Sequence, residues 1–218
     1  MKRFLLFAAA LLVTAVPQFA QDGTNIPEDV FYLMPSFGKG IVSFKSKPSA
    51  QGTLNICAVD GSVRFKDASG QEMELDDVEN VTQVAIDGVT FIHSGGAFWR
   101  VYPISNGAGL AQKREVSVIT DSRNTAYGGT SQTTAVTEYT SVITSGIVVN
   151  LDNVRDFPYR EKVTVNLVKD GAVMSPTKKN FQKCFPDRKA DIEAWFKANK
   201  KAPTDFEGLD ALCRQWAD

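Results

Sequence analysis

Histidine occurs once in the 218 residues and cysteine three times. One histidine excludes any metal site built on two or more imidazoles. Three cysteines are too few to staple a disulfide-built scaffold. Charge of one sign is also lacking, since 24 basic residues face 25 acidic ones. Nothing in that balance would draw the chain to nucleic acid or to an anionic membrane surface. After the first twenty residues no apolar run is long enough to cross a bilayer. P-loops, dinucleotide-binding glycine fingerprints, zinc-ribbon spacings and nucleophile elbows are absent too. With those routes gone, no cofactor and no metal are expected.

What the chain does have begins at its N-terminus. Lys2 and Arg3 precede an apolar run, Phe4 to Val16, broken only by Thr14. Pro17 and Ala20 follow, before the polar Gln21-Asp22. This is the pattern of a secretory signal peptide over residues 1–20, with an uncleaved anchor as the competing reading. A lipid anchor would need a cysteine at the cleavage point, and the first cysteine is Cys57. Loss of the leader takes Lys2 and Arg3 with it and leaves 22 basic against 25 acidic residues, a net charge of −3. The expected address is outside the cytoplasm.

The strongest local signal downstream is Asp-Gly between apolar alternations: Asp60-Gly61, Asp87-Gly88 and Asp170-Gly171. A two-residue type I′ hairpin needs positive φ at both central positions, which Asp-Gly accepts at low cost. Around Asp60-Gly61 that register sets Ile56 against Phe65 and Cys57 against Arg64. Around Asp87-Gly88 it sets Ile86 against Val89 and Val84 against Phe91. Around Asp170-Gly171 it sets Val168 against Val173 and Leu167 against Met174, so that pair is apolar on both faces. Gly40–Lys45, Phe98–Tyr102, Glu115–Thr120 and Ser141–Asn150 read as further strands. Residues 120–145 hold twelve Ser or Thr and read as an exposed excursion.

After Pro176 the apolar period lengthens to helical spacing. Phe181, Cys184 and Phe185 form one stripe; Ile192, Trp195 and Phe196 a second; Leu209, Leu212, Cys213 and Trp216 a third. Pro186 suits a first helical turn, and Thr204 to Glu207 reads as a capping box. The expected fold is therefore mostly β. An antiparallel β roll or barrel-like core fills residues 21–175, and a C-terminal cluster of short helices fills residues 176–218.

Few residues invite chemistry. Cys184 and Cys213 are a candidate disulfide between two helices of an exported chain, and two separate buried thiols are the competing reading. Cys57, set beside Arg64, is either a cation-activated thiol or an inert half-buried one. His93 can serve as a general base, or as a hydrogen-bonded residue near a strand end. Glu72, Glu74, Asp76, Asp77 and Glu79 form an acidic stretch that lacks the calcium-loop pattern. It suits either the paired acids of glycoside hydrolysis or a solvated connection. Trp99 and Tyr102 alternate along one strand and are candidate ligand contacts, with core packing as the alternative. Asn80-Val81-Thr82 matches the glycosylation sequon.

Three stretches carry a resemblance. They are Phe31-Tyr32-Leu33-Met34-Pro35-Ser36-Phe37-Gly38-Lys39-Gly40, then Gly52-Thr53-Leu54-Asn55-Ile56-Cys57-Ala58-Val59-Asp60, and the ending from Asn180-Phe181 through Trp216. In them the chain resembles a group of secreted proteins of the Bacteroidota that has no assigned activity. The resemblance implies a Gram-negative envelope setting and transfers no catalytic residue. The expectation is an exported, non-catalytic protein that binds a protein or glycan. A carboxylate-dependent hydrolase and an envelope structural component are the alternatives.

Overall fold

The computed structural model describes residues 26–120, 137–139 and 159–217. The expected leader, most of the Ser/Thr-rich excursion and the expected strand at Ser141–Asn150 lie outside the described residues. A short helix, α1 (Glu28–Phe31), leads into eleven strands. These are β1 (Gly38–Phe44), β2 (Ala50–Ile56), β3 (Val63–Lys66), β4 (Glu72–Glu74), β5 (Val81–Ile86), β6 (Val89–Ser94), β7 (Ala97–Ser105), β8 (Ala108–Thr120), β9 (Thr137–Tyr139), β10 (Tyr159–Lys169) and β11 (Ala172–Met174). Helices α2 (Lys178–Cys184), α3 (Lys189–Ala198) and α4 (Phe206–Ala217) complete the described chain.

All strands join one antiparallel sheet in the order β11-β10-β8-β7-β6-β5-β1-β2-β3-β4, with β9 beside β8. The sheet is open, ending at β11 and β4. It nevertheless curls far enough for Val116 on β8 to donate its N–H to the carbonyl of Ala58, just past β2, at 3.0 Å. That contact forms a seam. The interior beneath the curl is filled by Leu54, Ile56, Val63, Val84, Ile86 and Phe91 with their neighbours. The helices close the other end of the sheet, where Leu110, Val165 and Leu167 meet Phe181, Ile192, Leu209 and Trp216.

Two of the three Asp-Gly hairpins fold in the register expected of them. Asp87-Gly88 has φ of 46° and 82°, with Ile86 opposite Val89. Asp170-Gly171 has φ of 50° and 81°, with Lys169 opposite Ala172. Aspartate tolerates this left-handed region and glycine has no Cβ to oppose it. Val168 and Leu167 pack on opposite faces of the sheet, as the doubly apolar pattern implied. Two more hairpins of the same kind, at Gly95-Gly96 and Asn106-Gly107, carry the same dipeptide logic and went unread.

The first hairpin differs. Ile56 faces Val63 and Asn55 faces Arg64, so Cys57 is not opposite Arg64. The connection runs from Cys57 to Ser62, and Asp60-Gly61 lies within it without forming a two-residue turn. The slip is by two residues, so every side chain keeps its expected face. Its cause is Asp60, whose carboxylate is held by Ser62 and Arg64. A second correction concerns α4. Its first turn is capped by Asp205, which accepts the Gly208 N–H at 2.7 Å, one residue beyond the expected Thr204.

Candidate functional site

The cleft that draws attention lies along the seam. It has a volume of about 210 Å³ and is bounded by the Cys57–Gly61 connection, the Gly95-Gly96 turn and Lys113–Glu115 of β8. Its walls follow from the local sequence. The segment before β1 forms no regular strand, so its backbone groups need other partners. Asn55, fully buried, supplies two: its side chain accepts the Met34 N–H at 3.2 Å and donates to the Met34 carbonyl at 3.0 Å. Leu33 N–H reaches the Ile56 carbonyl, and Ala58 N–H reaches that of Phe31. Arg114 donates to the carbonyls of Asp29 and Tyr32. Tyr32 in turn donates its hydroxyl to Glu72 at 2.6 Å.

Beside this lies a buried charge network. The Arg64 side chain is 7% exposed and meets Asp60 at 2.8 Å and Glu74 at 3.1 Å. Its Nε donates to Ser62 at 2.7 Å. Burial alone would lower the Arg64 pKa, but Asp60 and Glu74 outweigh it and hold the guanidinium above its ordinary value. Cys57 sits in the same wall. Burial, reinforced by the Asp60 charge, pushes its thiol up to about 12. That is the reverse of the shift a nucleophilic thiol needs, so Cys57 is an inert wall residue.

The other expected site residues are scattered. His93 Nδ1 lies 3.2 Å from the Val81 carbonyl, and its ring stacks on Phe98 with centroids 4.8 Å apart. Trp99 is 8% exposed and donates its indole N–H to the Ser94 carbonyl, with Lys113 over the ring at 5.2 Å. Tyr102 donates to Gln112 and packs edge-on against Phe206 under the helices. Trp99 and Tyr102 occupy opposite faces of the sheet, in two separate apolar clusters, so the structure does not assemble them into one site. Both are packing residues here.

Within the acidic stretch, Glu72 binds Tyr32, Glu74 binds Arg64, and Asp77 binds Lys47 at 2.6 Å. The Lys47 ammonium and the Asn80 amide hold the Asp77 carboxyl below the usual range. Among the described residues no cluster of His, Cys, Asp and Glu has the arrangement of a metal site. Cys184 and Cys213 share the helical cluster as free, buried thiols, with no bond between them. Burial pushes Cys184 to about 11 and Cys213 to about 12, the latter also opposed by its neighbour Cys184.

Sequence reasoning missed Asn55, Arg64 and Arg114 as seam residues. Asn55 and Arg64 stood on the polar side of a regular alternation, the pattern of an ordinary solvated strand face, and Arg114 stood just ahead of the expected strand, in the polar run Gln112–Glu115. Among the described residues no helix is long and apolar enough to cross a membrane. No protein-family model, no curated protein and no solved structure matches this chain.

Proposed function

We propose that this chain is an exported, non-catalytic binding or interaction protein of the cell envelope, recognising a protein or glycan. One observation carries the reading: the charged groups around the seam cleft are committed to one another. Asp60 holds Ser62 and Arg64, Lys113 pairs with Glu115 at 2.8 Å, and Arg114 caps backbone carbonyls. The one thiol in the wall stays protonated at neutral pH, since its pKa is about 12. A general acid–base pair requires a group poised near the working pH and facing a substrate. Groups already satisfied within the fold favour a rigid surface instead.

The test separates binding from turnover. The chain lacking residues 1–20 is titrated against a glycan panel and against fractionated envelope proteins. Saturable, stoichiometric binding without product is the expected result. Product formation that disappears in Glu72→Gln or Glu74→Gln would replace this reading with the carboxylate-dependent hydrolase.

A further inference from the structure

Strand β10 carries a long edge with no neighbour among the described residues. It pairs with β8 from Tyr159 to Lys169, whereas β11 covers only Leu167 to Lys169. The bond from Asp170 N–H to the Gly107 carbonyl, 2.9 Å, fixes which way the backbone groups point. In an antiparallel ladder they alternate, so even-numbered residues of β10 face β8 and odd-numbered ones face away. Leu167 and Lys169 meet β11. The next outward residue, Val165, would fall opposite Pro176 if the register continued. Proline has no N–H to give, and the chain leaves the sheet there to begin α2. Among the described residues, the outward N–H and C=O groups of Glu161, Val163 and Val165 thus face no neighbouring strand. Val163 is 50% exposed there, the most exposed of the large apolar side chains described.

We propose that β10 pairs antiparallel with β10 of a second copy, across a two-fold axis through Val163. The edge is self-complementary in that register. Val163 meets its mate, Glu161 meets Val165, Lys162 meets Thr164 and Arg160 meets Asn166. No like charges stand directly opposite one another. Moving the axis to Lys162 sets two ammonium groups face to face. Moving it to Glu161 opposes two carboxylates and also sets Arg160 against Lys162. Moving it to Thr164 partners Val163 and Val165 but leaves Glu161 facing Leu167, which Met174 already holds. Of these registers, the Val163 axis alone both partners all three outward residues and sets no like charges directly opposite one another. An isologous contact of this kind closes on itself as a dimer and buries the exposed edge.

Two measurements on the whole chain without residues 1–20 test the inference. Sedimentation equilibrium should give a reversible dimer whose association weakens about tenfold or more in Val163→Lys, which sets two cations on the axis. At concentrations where both proteins are monomeric the thermal midpoint should stay unchanged, because the site is exposed in the single copy. In the second, Val163→Cys under mild oxidation should yield a covalent dimer, because the axis brings the two copies of that position together. Thr164→Cys should not, because it faces Lys162 of the other copy. The native thiols do not compete, being buried. A wild-type monomer up to several hundred micromolar would overturn the inference. So would trapping at Thr164→Cys equal to that at Val163→Cys, or an edge that takes up only an unrelated extended peptide.

Discussion

The two ends of the sheet are held together by different mixtures of contacts. Under the helices the cluster is almost entirely apolar: Phe181 and Trp216 meet edge-on at 5.0 Å, with Trp195, Phe196 and Phe206 around them. At the seam a smaller apolar cluster of Phe31, Tyr32, Val59 and Val116 is joined by charged and polar contacts: Arg64 with Asp60, Asn55 with Met34, Tyr32 with Glu72, Arg114 with two carbonyls. The difference follows from what each must bury. The helices satisfy their own backbones and need only cover apolar stripes. The segment before β1 makes only an isolated bridge, Tyr32 to Cys57, so the rest of its backbone is met by side chains brought from elsewhere.

The largest expected effect tests whether charge is what holds the seam. Asp60→Ala leaves Arg64 buried with only the half-exposed Glu74 beside it, and removing one partner of a buried pair costs about 3–5 kcal/mol. Adding Arg64→Met should recover most of that loss, because a packed apolar chain no longer needs a counter-charge. Under the helices, Phe181→Ala should cost a similar amount, about 3–5 kcal/mol, and no second substitution of a charged residue should recover it. Urea unfolding of the three variants gives the comparison. An Asp60→Ala loss below about 1 kcal/mol would show that the seam is held by apolar burial after all.

The same contrast explains what was legible in the sequence. The helical end was read from Phe181, Cys184, Ile192 and Trp216 because a 3.6-residue period is local, and the structure places those residues in one cluster. The hairpins at Asp87 and Asp170 were legible because a dipeptide determines its own turn. The seam was not. Arg114 and Tyr32 are 82 residues apart, Tyr32 and Glu72 are 40 apart, and Asn55 and Met34 are 21 apart. No window of the sequence contains both partners. The register at Asp60 failed for a different reason: its partners Ser62 and Arg64 are local, but the turn dipeptide does not reveal that Arg64 is buried and takes Asp60 as its counter-charge. The alternation from Phe98 to Tyr102 puts Trp99 and Tyr102 on opposite faces of one strand, and the sheet places them in different clusters.

A smaller effect distinguishes the two ends through their thiols. Each of the three is neutral in the fold and has its pKa raised above the ordinary value of 9.0. Below pH 9 folded and unfolded chains hold the same protons on these groups, and their contribution is fully present. Above pH 9 the unfolded thiols ionise first, so stability falls by about 1.4 kcal/mol per pH unit per thiol until the folded pKa is reached. Cys57→Ala should remove one thiol's share of that alkaline slope under any redox condition. Cys213→Ala should remove its share only when Cys184 and Cys213 are reduced, because a bridge between them leaves nothing to titrate. Urea unfolding between pH 9 and 11, with and without reductant, reads both. A Cys213→Ala slope that ignores reductant would end the disulfide expectation for this pair.

The smallest effect asks how dry the helical end is. One polar side-chain contact at that end joins Tyr102 to Gln112, at 3.0 Å and only part-buried. Removing the hydroxyl in Tyr102→Phe leaves the ring on Phe206 and keeps the apolar surface intact. A part-buried neutral hydrogen bond contributes about 0.5–1.5 kcal/mol, and Gln112 can turn to water once its donor is gone. The expected loss is therefore about 1 kcal/mol at most, or roughly 2–4 °C in the thermal midpoint for a chain of this size. Asn55→Leu at the seam removes a hydrogen-bonding group of similar capacity and should cost more, because the Met34 N–H and C=O it serves are then left without it. If the two substitutions shift the midpoint equally, the seam has no special dependence on polar contacts, and the contrast between the two ends reduces to a difference in side-chain size.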